Sequence, residues 1–353
     1  MHILDDPSAR RRLDPQGTES VLAGLADQLE EAARLADAAE LPSWREIAAV
    51  VVAGMGGSAI GGDLVRGLVA PKLTIPFYIN REYELPAWVD RRVLVIASSY
   101  SGNTAETLAA YREAKRRGAR VVAISTGGEL ELLAQEAGDP WIKIPGGISP
   151  RAAVGFSLVP ILLVLERLGL VAPRREELKE AQQVLLALRE EVGAEAPLEQ
   201  NPAKQLALSL HGRLPVVYGG EGWRAVVAYR WKTQLNENAK HLAYWHALPE
   251  LNHNETVGWE FPPDLARQVH LVFLRDRLDS EPIRRRFEVT AEIAGPRVHG
   301  ITEVWSRGES DLARLFALLY FGDWTSYHLA ILNGVDPTPV RVIDYLKARL
   351  AGR

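Results

Sequence analysis

The sequence predicts an α/β protein of two domains, each a mostly parallel β-sheet flanked by helices. Short segments rich in Val and Ile alternate with helical segments, which is the pattern of a parallel sheet covered on both faces. A chain of 353 residues is too long for one ordinary core but suits two domains of about 150 residues each. The second half repeats the strand and helix order of the first half more faintly, so we expect two related domains.

The first half predicts a leading helix followed by five strands. Apolar residues recur at helical spacing across residues 18–40, after a possible N-terminal cap at Thr18. A short apolar run at 47–53 predicts a strand, which stops at a Gly-rich segment and is followed by a helix. Further strands are predicted within LTIPFYIN (73–80), RRVLVIASS (91–99), ARVVAISTGG (119–128) and DPWIKIP (139–145), with a helix in residues 100–118.

The second half follows the same plan. Residues 214–237 correspond to the first strand and helix of the first half, and QVHLVFLRD (268–276) predicts another strand. GPRVHGITEVWS (295–306) resembles the first-half segment at 118–128, because both place a strand and a turn after a glycine.

The segment near residues 172–200 is polar and alanine-rich, and it predicts a solvated connecting helix. We therefore expect an N-terminal domain at 1–172, a connecting segment at 173–200 and a C-terminal domain at 201–353.

Composition excludes several classes of function. The formal net charge of −4 and the pI of about 6.1 offer no basic surface for a nucleic acid or an anionic membrane. The absence of cysteine removes disulfides, thiolate metal sites and cysteine nucleophiles. No run of about 18 apolar residues is present to span a bilayer, and the first residues have no apolar signal core. We expect a cytoplasmic protein without nucleic-acid or membrane partners.

A glycine-rich segment, GMGGSAIGGD at 54–63, lies between a predicted strand and a predicted helix. Glycines there let the backbone approach an anion at a helix N-terminus. Gly54, Gly56 and Ala59 also satisfy the G-x-G-x-x-A dinucleotide pattern, and Glu82 lies where a ribose-binding acid is expected. Three interpretations remain open for this segment alone: a dinucleotide site, a site for another phosphate, and a structural turn.

A cluster of short polar side chains favours a phosphate site. The cluster lies between the third strand and a helix that begins near Ala105, and it comprises Ser98, Ser99, Ser101, Asn103 and Thr104. Any one of these residues could be an ordinary helix cap or turn residue. Five of them in seven positions, at the carboxyl end of an inner strand, suit a phosphate monoester, which needs many donors in a small volume.

A third polar cluster occupies residues 235–255. Glu237 could form surface pairs with Lys240 or His241 at helical spacing, and for His241 and His246 we favour that reading. A zinc site is the other alternative. His241, His246 and His253 are spaced by five and seven residues and do not share one helical face, so no metal is predicted.

Five motifs together resemble the bifunctional phosphoglucose/phosphomannose isomerase family, within the sugar isomerase (SIS) domain proteins: GMGGSAIGGDL (54–64), SYSGNTAET (99–107), SPRAAVGFSL (149–158), LNENAKH (235–241) and PELNHNE (249–255). The likeness runs from about residue 20 to Leu350. SGNT alone is shared by many SIS proteins, including regulators without activity, whereas the combination is more specific. The resemblance implies two SIS-type domains and a cofactor-free isomerase that interconverts fructose 6-phosphate with glucose 6-phosphate and also with mannose 6-phosphate.

The resemblance also assigns the substrate site. It implies that the 6-phosphate binds Ser99, Ser101 and Thr104, while the sugar side is lined by Gly56, Gly57 and Ser58. Ala105 stands where an acid is common after SGNT, next to the phosphate loop.

The catalytic residues implied by the resemblance come from four segments. Arg151 would steady the negatively charged intermediate, and Glu237 would be the catalytic base. His253 would help to open the sugar ring from the neighbouring subunit, which implies an active homodimer, and Lys347 would assist the same step.

The chemistry explains why such residues are needed. Moving a carbonyl from C1 to C2 requires one carboxylate to remove and return a carbon-bound proton, with a pKa near neutrality. We expect partial burial of Glu237 among Tyr244 and Trp245 to provide that pKa. A fixed arginine suits the resulting cis-enediolate.

Three alternatives compete with this function. A non-catalytic SIS sensor of sugar phosphates would need the SGNT loop but not the base, and a dinucleotide-dependent oxidoreductase would have no use for the hydroxyl loop. An amidotransferring sugar isomerase would need a cysteine nucleophile, which the chain lacks.

Overall fold

Five strands of the first half form one sheet in the computed structural model, which describes residues 2–350. The strands are β1 (Ala49–Ala53), β2 (Phe77–Asn80), β3 (Val93–Ser98), β4 (Arg120–Ser125) and β5 (Trp141–Lys143). Neighbouring strands are parallel, in the order β2-β1-β3-β4-β5. Strands β1 and β3 are buried along their whole length because both faces of the sheet are covered.

The helices of the first half lie before, between and after these strands. They are α1 (Pro7–Leu13), α2 (Thr18–Ala23), α3 (Leu25–Ala38), α4 (Gly56–Val69), α5 (Ala105–Arg116), α6 (Gly128–Ala137) and α7 (Val154–Arg167). Residues 56–63 of the glycine-rich segment thus form about the first two turns of α4 rather than a loop before the helix.

The leading helix predicted at 18–40 is two helices, broken at Gly24. Thr18 is not the cap. The carboxylate of Asp14 accepts hydrogen bonds from the backbone N–H groups of Thr18 and Glu19, and the Thr18 hydroxyl lies 2.7 Å from that of Thr338. The cap prediction was wrong because an upstream aspartate satisfies the free amides of the first turn.

The second half forms a four-stranded parallel sheet. Its strands are β6 (Leu214–Gly220), β7 (Tyr244–Leu248), β8 (Val269–Arg275) and β9 (Gly300–Trp305), in the order β7-β6-β8-β9. The remaining helices are α8 (Arg175–Val192), α9 (Pro202–Leu210), α10 (Trp223–Glu237), α11 (Glu255–Gly258), α12 (Pro263–Ala266), α13 (Glu281–Ala294), α14 (Asp311–Leu332) and α15 (Arg341–Leu350). Strands β6, β8 and β9 occupy the places of β1, β3 and β4, and the predicted α/β class with parallel sheets is confirmed.

Helix α8 lies in the segment predicted as a solvated connection, but one of its faces is buried. This face packs against α14 and α3 and consists of Leu178, Ala181, Leu185, Leu188 and Val192. The polar residues on the opposite face dominated the composition and concealed this apolar stripe. The predicted boundaries at 172 and 201 remain a prediction.

The largest apolar core includes residues of both halves, from the leading helices to α14. Helices α4 and α10 cross where a β-carbon on Gly67 would lie 2.7 Å from the Trp223 backbone nitrogen. None of the helices described within residues 2–350 is both long and apolar enough to cross a membrane.

Candidate active site

The hydroxyl cluster lies at the carboxyl end of β3, where α5 begins. Thr104 occupies the N-cap position of α5, yet its side chain makes no capping hydrogen bond. Its hydroxyl lies 2.9 Å from that of Ser99 instead. The ordinary cap is therefore not made, and a free helix N-terminus next to two hydroxyl groups suits an anionic ligand.

A neighbouring loop holds this cluster in place. The Ser101 hydroxyl is exposed and accepts a hydrogen bond from the Asn103 backbone N–H at 3.2 Å. The Asn103 side-chain oxygen accepts one from the N–H of Glu129, at the start of α6, at 2.9 Å. Gly102 has a φ of +69°, and a β-carbon there would collide with the Gly127 carbonyl. The loop is thus shaped by its contact with the β4–α6 connection.

The glycine loop after β1 lies beside the hydroxyl loop. Ser58, in the first turn of α4, accepts a hydrogen bond from the Tyr100 backbone N–H at 3.0 Å. Gly56 has a φ of +51°, with open space where a β-carbon would lie. A β-carbon on Gly57 would lie 2.6 Å from the Pro150 carbonyl oxygen. The absence of a side chain at Gly57 therefore lets residue 150, and with it Arg151, approach the two loops.

Arg151 follows in a short 3₁₀ turn (Pro150–Ala152) and is buried. Its Nε donates to the Asn238 side-chain oxygen at 2.6 Å, and its Nη2 donates to the carbonyls of Pro337 and Thr338 at 2.6 and 2.7 Å. Its Nη1 lies 3.7 Å from Glu237 Oε2. Burial lowers the pKa of Arg151 from its ordinary value, and the Glu237 carboxylate opposes that shift. Arg151 is thus fixed by neutral oxygens, with Nη1 facing the predicted base.

Glu237 is the last residue of α10, and about a third of its side chain is exposed. The helix ends there, so the expected helical surface pairs are not formed. Lys240 directs its ammonium to backbone carbonyls, and the His241 ring hydrogen-bonds to the Arg213 carbonyl at 2.6 Å. His246 lies on β7, where its Nδ1 accepts from the Ala247 N–H. The surface-pair reading of His241 and His246 was wrong.

The expected aromatic enclosure of Glu237 is also absent. Tyr244 and Trp245 are exposed on β7 and line a cavity of about 410 Å³ that also includes Trp259. Glu237 lines a different cavity of about 640 Å³, next to Lys240 and the start of α15. The strand β7 carries the two rings away from the helix end.

A buried polar network behind Arg151 was missed by sequence reasoning. Arg230 of α10 donates to the Arg151 carbonyl at 3.0 Å and pairs with the Asp323 carboxylate at 2.7 Å. Gln234 donates to Asp323 at 3.0 Å, and Asn238 donates to Ser326 at 2.9 Å. Burial raises the pKa of Asp323, and Arg230 opposes that shift. The sequence feature that could have revealed this network was Asp323, a charged residue within the otherwise apolar middle of α14.

His253 and Lys347 are not joined to Glu237 by a hydrogen bond or ion pair within residues 2–350. His253 is exposed at the end of a 3₁₀ turn (Glu250–His253). Its neighbour Asn252 is held by Thr290 at 2.9 Å and by Arg286 at 3.1 Å. Lys347 is exposed on α15.

The equivalent of the hydroxyl loop in the second half is acidic. After β8 come Asp276 and Asp279, both buried. Arg224 pairs with both carboxylates, at 3.2 and 3.0 Å, and Arg314 pairs with Asp276 at 3.1 Å. The two carboxylates of this loop are therefore already paired with arginines inside the protein. Among residues 2–350, no group of three or more Asp, Glu or His side chains could hold a metal ion.

Two models of known protein families match most of this chain. The model for the SIS domain matches residues 32–168, and the model for the bacterial phospho-glucose isomerase C-terminal SIS domain matches residues 199–350. A bifunctional phosphoglucose/phosphomannose isomerase of Caldicellulosiruptor bescii is 47% identical over 306 residues, covering 87% of this chain and 90% of that protein. The chain belongs to this isomerase family.

Two further family comparisons agree. The Thermoplasma acidophilum protein of the same name is 40% identical, covering 86% of this chain and 89% of its own length. The crystal structure of a glucose-6-phosphate isomerase like protein from Thermus thermophilus superposes with a TM-score of 0.63 at 25% identity, covering 96% and 98% of the two chains. The predicted family, its two SIS domains and the class of aldose–ketose isomerase are confirmed.

Proposed function

We propose that this isomerase interconverts fructose 6-phosphate with glucose 6-phosphate and with mannose 6-phosphate in the cytoplasm, in glycolysis and gluconeogenesis. The observation that carries the proposal is the pairing of Glu237 with Arg151 Nη1 at 3.7 Å. This distance exceeds a hydrogen bond, so Arg151 Nη1 lies close to the carboxylate without donating to it.

The phosphate is proposed to bind at the start of α5, with Ser99, Ser101 and Thr104. Phosphate binding there supplies positioning energy for the reacting end of the sugar. The contact of Gly57 with Pro150 supports the arrangement, because it brings Arg151 beside the glycine loop that we assign to the sugar.

Glu237 is then proposed to remove the proton next to the carbonyl and return it to the adjacent carbon. The cis-enediolate that forms between the two steps bears negative charge on its oxygens, and Arg151 is already fixed by three neutral acceptors. A preorganised cation needs no rearrangement during the reaction. Both aldose products follow from proton return to opposite faces of C2.

Ring opening is proposed to require His253 from the neighbouring subunit of a homodimer, assisted by Lys347. The exposure of His253 supports this assignment, because a residue that serves another subunit cannot be buried in its own, and Lys347 is exposed as well.

A coupled assay with fructose 6-phosphate that measures both aldose products tests the function. The assay is run with excess EDTA, because we expect the activity not to depend on a metal ion. We expect glucose 6-phosphate and mannose 6-phosphate to form. Binding of fructose 6-phosphate without either product would favour a non-catalytic sensor.

A further inference from the structure

Lys240 has a backbone conformation that lysine rarely adopts. Its φ is +51°, and Glu46 is the other described non-glycine residue with a positive φ. The chain reverses at Lys240, so the N–H of His241 returns to the Leu235 carbonyl at 3.1 Å. Glycine or asparagine is the usual residue for such a reversal after a helix. We therefore expect the Lys240 side chain to make contacts that offset the cost of this backbone conformation.

The Lys240 ammonium bridges two segments of backbone. It donates to the carbonyls of Glu237 at 2.8 Å and Asn238 at 3.3 Å, which form the end of α10. It also donates to the carbonyls of Asp336 at 2.7 Å and Pro337 at 3.1 Å, in the loop that leads to α15. Three N–H donors are thus shared among four oxygens, and two of these oxygens lie on each segment.

Arg151 binds the same two segments from another direction. Its Nη2 donates to Pro337 and Thr338, and its Nε donates to Asn238. The Pro337 carbonyl accepts from both cations. Burial of its ammonium lowers the pKa of Lys240 to about 8, and Arg151 contributes to the lowering, while Asp336 and Glu237 oppose the shift. Two cations are held close together although they repel each other.

We propose that Lys240 is a positioning residue, which holds the helix end bearing Glu237 against the 336–338 loop. The inference rests on the proposed role of Glu237 as the base. By fixing both segments, Lys240 sets the position of the carboxylate relative to Arg151 and to the origin of α15. It acts through the backbone, because all four hydrogen bonds of its ammonium go to backbone carbonyls.

The informative substitution is Lys240→Gly, because glycine adopts the positive φ more readily and relieves the backbone. We expect a folded protein whose kcat falls at least tenfold, while KM for fructose 6-phosphate changes less than threefold because the phosphate loop is untouched. The matched control is Glu46→Gly, which relieves the other positive φ outside the site, and its kcat should equal that of the wild type. Wild-type kcat in folded Lys240→Gly would overturn the proposal.

A second pair of variants decides the matter if the glycine variant does not fold. Lys240→Arg keeps a cation with several donors, whereas Lys240→Gln keeps a similar chain length without the charge. We expect the arginine variant to retain at least fivefold more kcat than the glutamine variant. Equal kcat values in the two variants would exclude the bridging role.

Amide hydrogen exchange separates this inference from the proposed function. Loss of the bridge should speed exchange at least tenfold across residues 338–345 in Lys240→Gly or Lys240→Gln, whether or not the protein is an isomerase. If the wild type lacks isomerase activity but exchange rises, the proposed function fails and the bridge stands. If the wild type is active and exchange does not change, the bridge alone is refuted.

Discussion

In the Glu237–Arg151 pair, the arginine is held in place by hydrogen bonds while the carboxylate, among the described residues, is not. Arg151 uses its Nε and Nη2 to bind fixed oxygens and presents Nη1 to the carboxylate. The arginine therefore cannot follow the carboxylate if it moves. Glu237, the proposed base, retains freedom to reach a substrate carbon, because its side chain is partly exposed at a helix end.

Glu237→Gln should abolish isomerisation of both aldose phosphates together, since both reactions begin with removal of a proton next to the same carbonyl. The amide keeps the shape but cannot accept the proton, so kcat should fall about 10²- to 10⁴-fold while substrate affinity stays nearly normal. Solvent deuterium incorporation at C1 of fructose 6-phosphate measures the proton transfer directly. Glu260→Gln, at an exposed glutamate, serves as the control. Wild-type exchange in the Glu237 variant would mean that another residue is the base.

His270, on β8, should make the fold sensitive to acid. It is buried, with its Nε2 2.9 Å from the Thr302 hydroxyl, and burial lowers its pKa to about 4. In the unfolded chain, His270 binds a proton near pH 6.5. Its full contribution to the free energy of unfolding is therefore present above that pH and is lost as the pH falls towards 4. Between pH 7 and 5 the loss should be about 2 kcal/mol.

Urea unfolding at pH 7 and pH 5 measures the contribution of His270. His270→Gln keeps a hydrogen-bonding group near Thr302 without titrating, and its unfolding free energy should vary less between the two values. An equal loss in both proteins would assign the acid sensitivity to other groups.

At the residue scale, chemistry that depends on residue type was easier to predict than contacts. The hydroxyl cluster was visible as residue types at a particular spacing, whereas Glu237 was assigned as the base only through the family resemblance. The partners of Arg151 were not, because Asn238 and the Pro337 carbonyl are distant in sequence. The placement of Tyr244 and Trp245 failed for a different reason: they are close to Glu237 in sequence, but the reversal at Lys240 separates them from it in space.

The loops after β1 and β3 act as one element. The Tyr100–Ser58 hydrogen bond joins them, and each opens into a helix N-terminus. Parallel neighbouring strands end at the same edge of a sheet, which is why the two loops meet. Before the structure, only the family resemblance implied that both loops contact one substrate. The sequence could not predict that α4 begins at Gly56, because glycine-rich segments suggest loops.

Ser101→Ala combined with Thr104→Ala should weaken substrate binding while the fold persists. Ser101 is exposed and Thr104 makes no cap, so removing their hydroxyls should cost little stability. We expect KM for fructose 6-phosphate to rise at least tenfold. Isothermal titration with fructose 6-phosphate and thermal unfolding test both statements. Unchanged affinity in the double variant would remove the phosphate assignment.

Gly57→Ala should uncouple the glycine loop from Arg151. The added β-carbon would lie 2.6 Å from a backbone oxygen, so the Pro150 segment must move. We expect a kcat at least tenfold lower and a loss of about 1–3 kcal/mol in stability. Gly258→Ala is the control, because no atom lies within 4 Å of its β-carbon position. A fully active Gly57→Ala would show that this approach does not position Arg151.

The whole molecule is held together by a core that spans the predicted division of the chain. Helix α8 packs on α3 of the first half and on α14 of the second. The two-domain pattern was predictable because the strand order repeats. The shared core was not, because the apolar stripe of α8 is diluted by charged residues on its other face.

Mixed dimers test whether active sites are shared between subunits. Glu237→Gln and His253→Ala should each be inactive, and mixing them after dissociation should restore activity, since one site of a hybrid dimer would then be complete. A statistical mixture is half hybrid, so the recovery should approach about a quarter of wild-type activity. Each variant alone, treated in the same way, is the control. No recovery, despite hybrids seen by native mass spectrometry, would place both residues in one subunit.

The acidic loop after β8 leads us to expect one bound sugar phosphate per chain. Asp276 and Asp279 place negative charge where the first half has the proposed phosphate site, and Arg224 and Arg314 are already paired with them. A phosphate entering there would meet two carboxylates whose arginine partners are already paired. We therefore expect each chain to bind one sugar phosphate rather than two, because aspartate carboxylates in the second half already occupy the position that an anionic ligand would take.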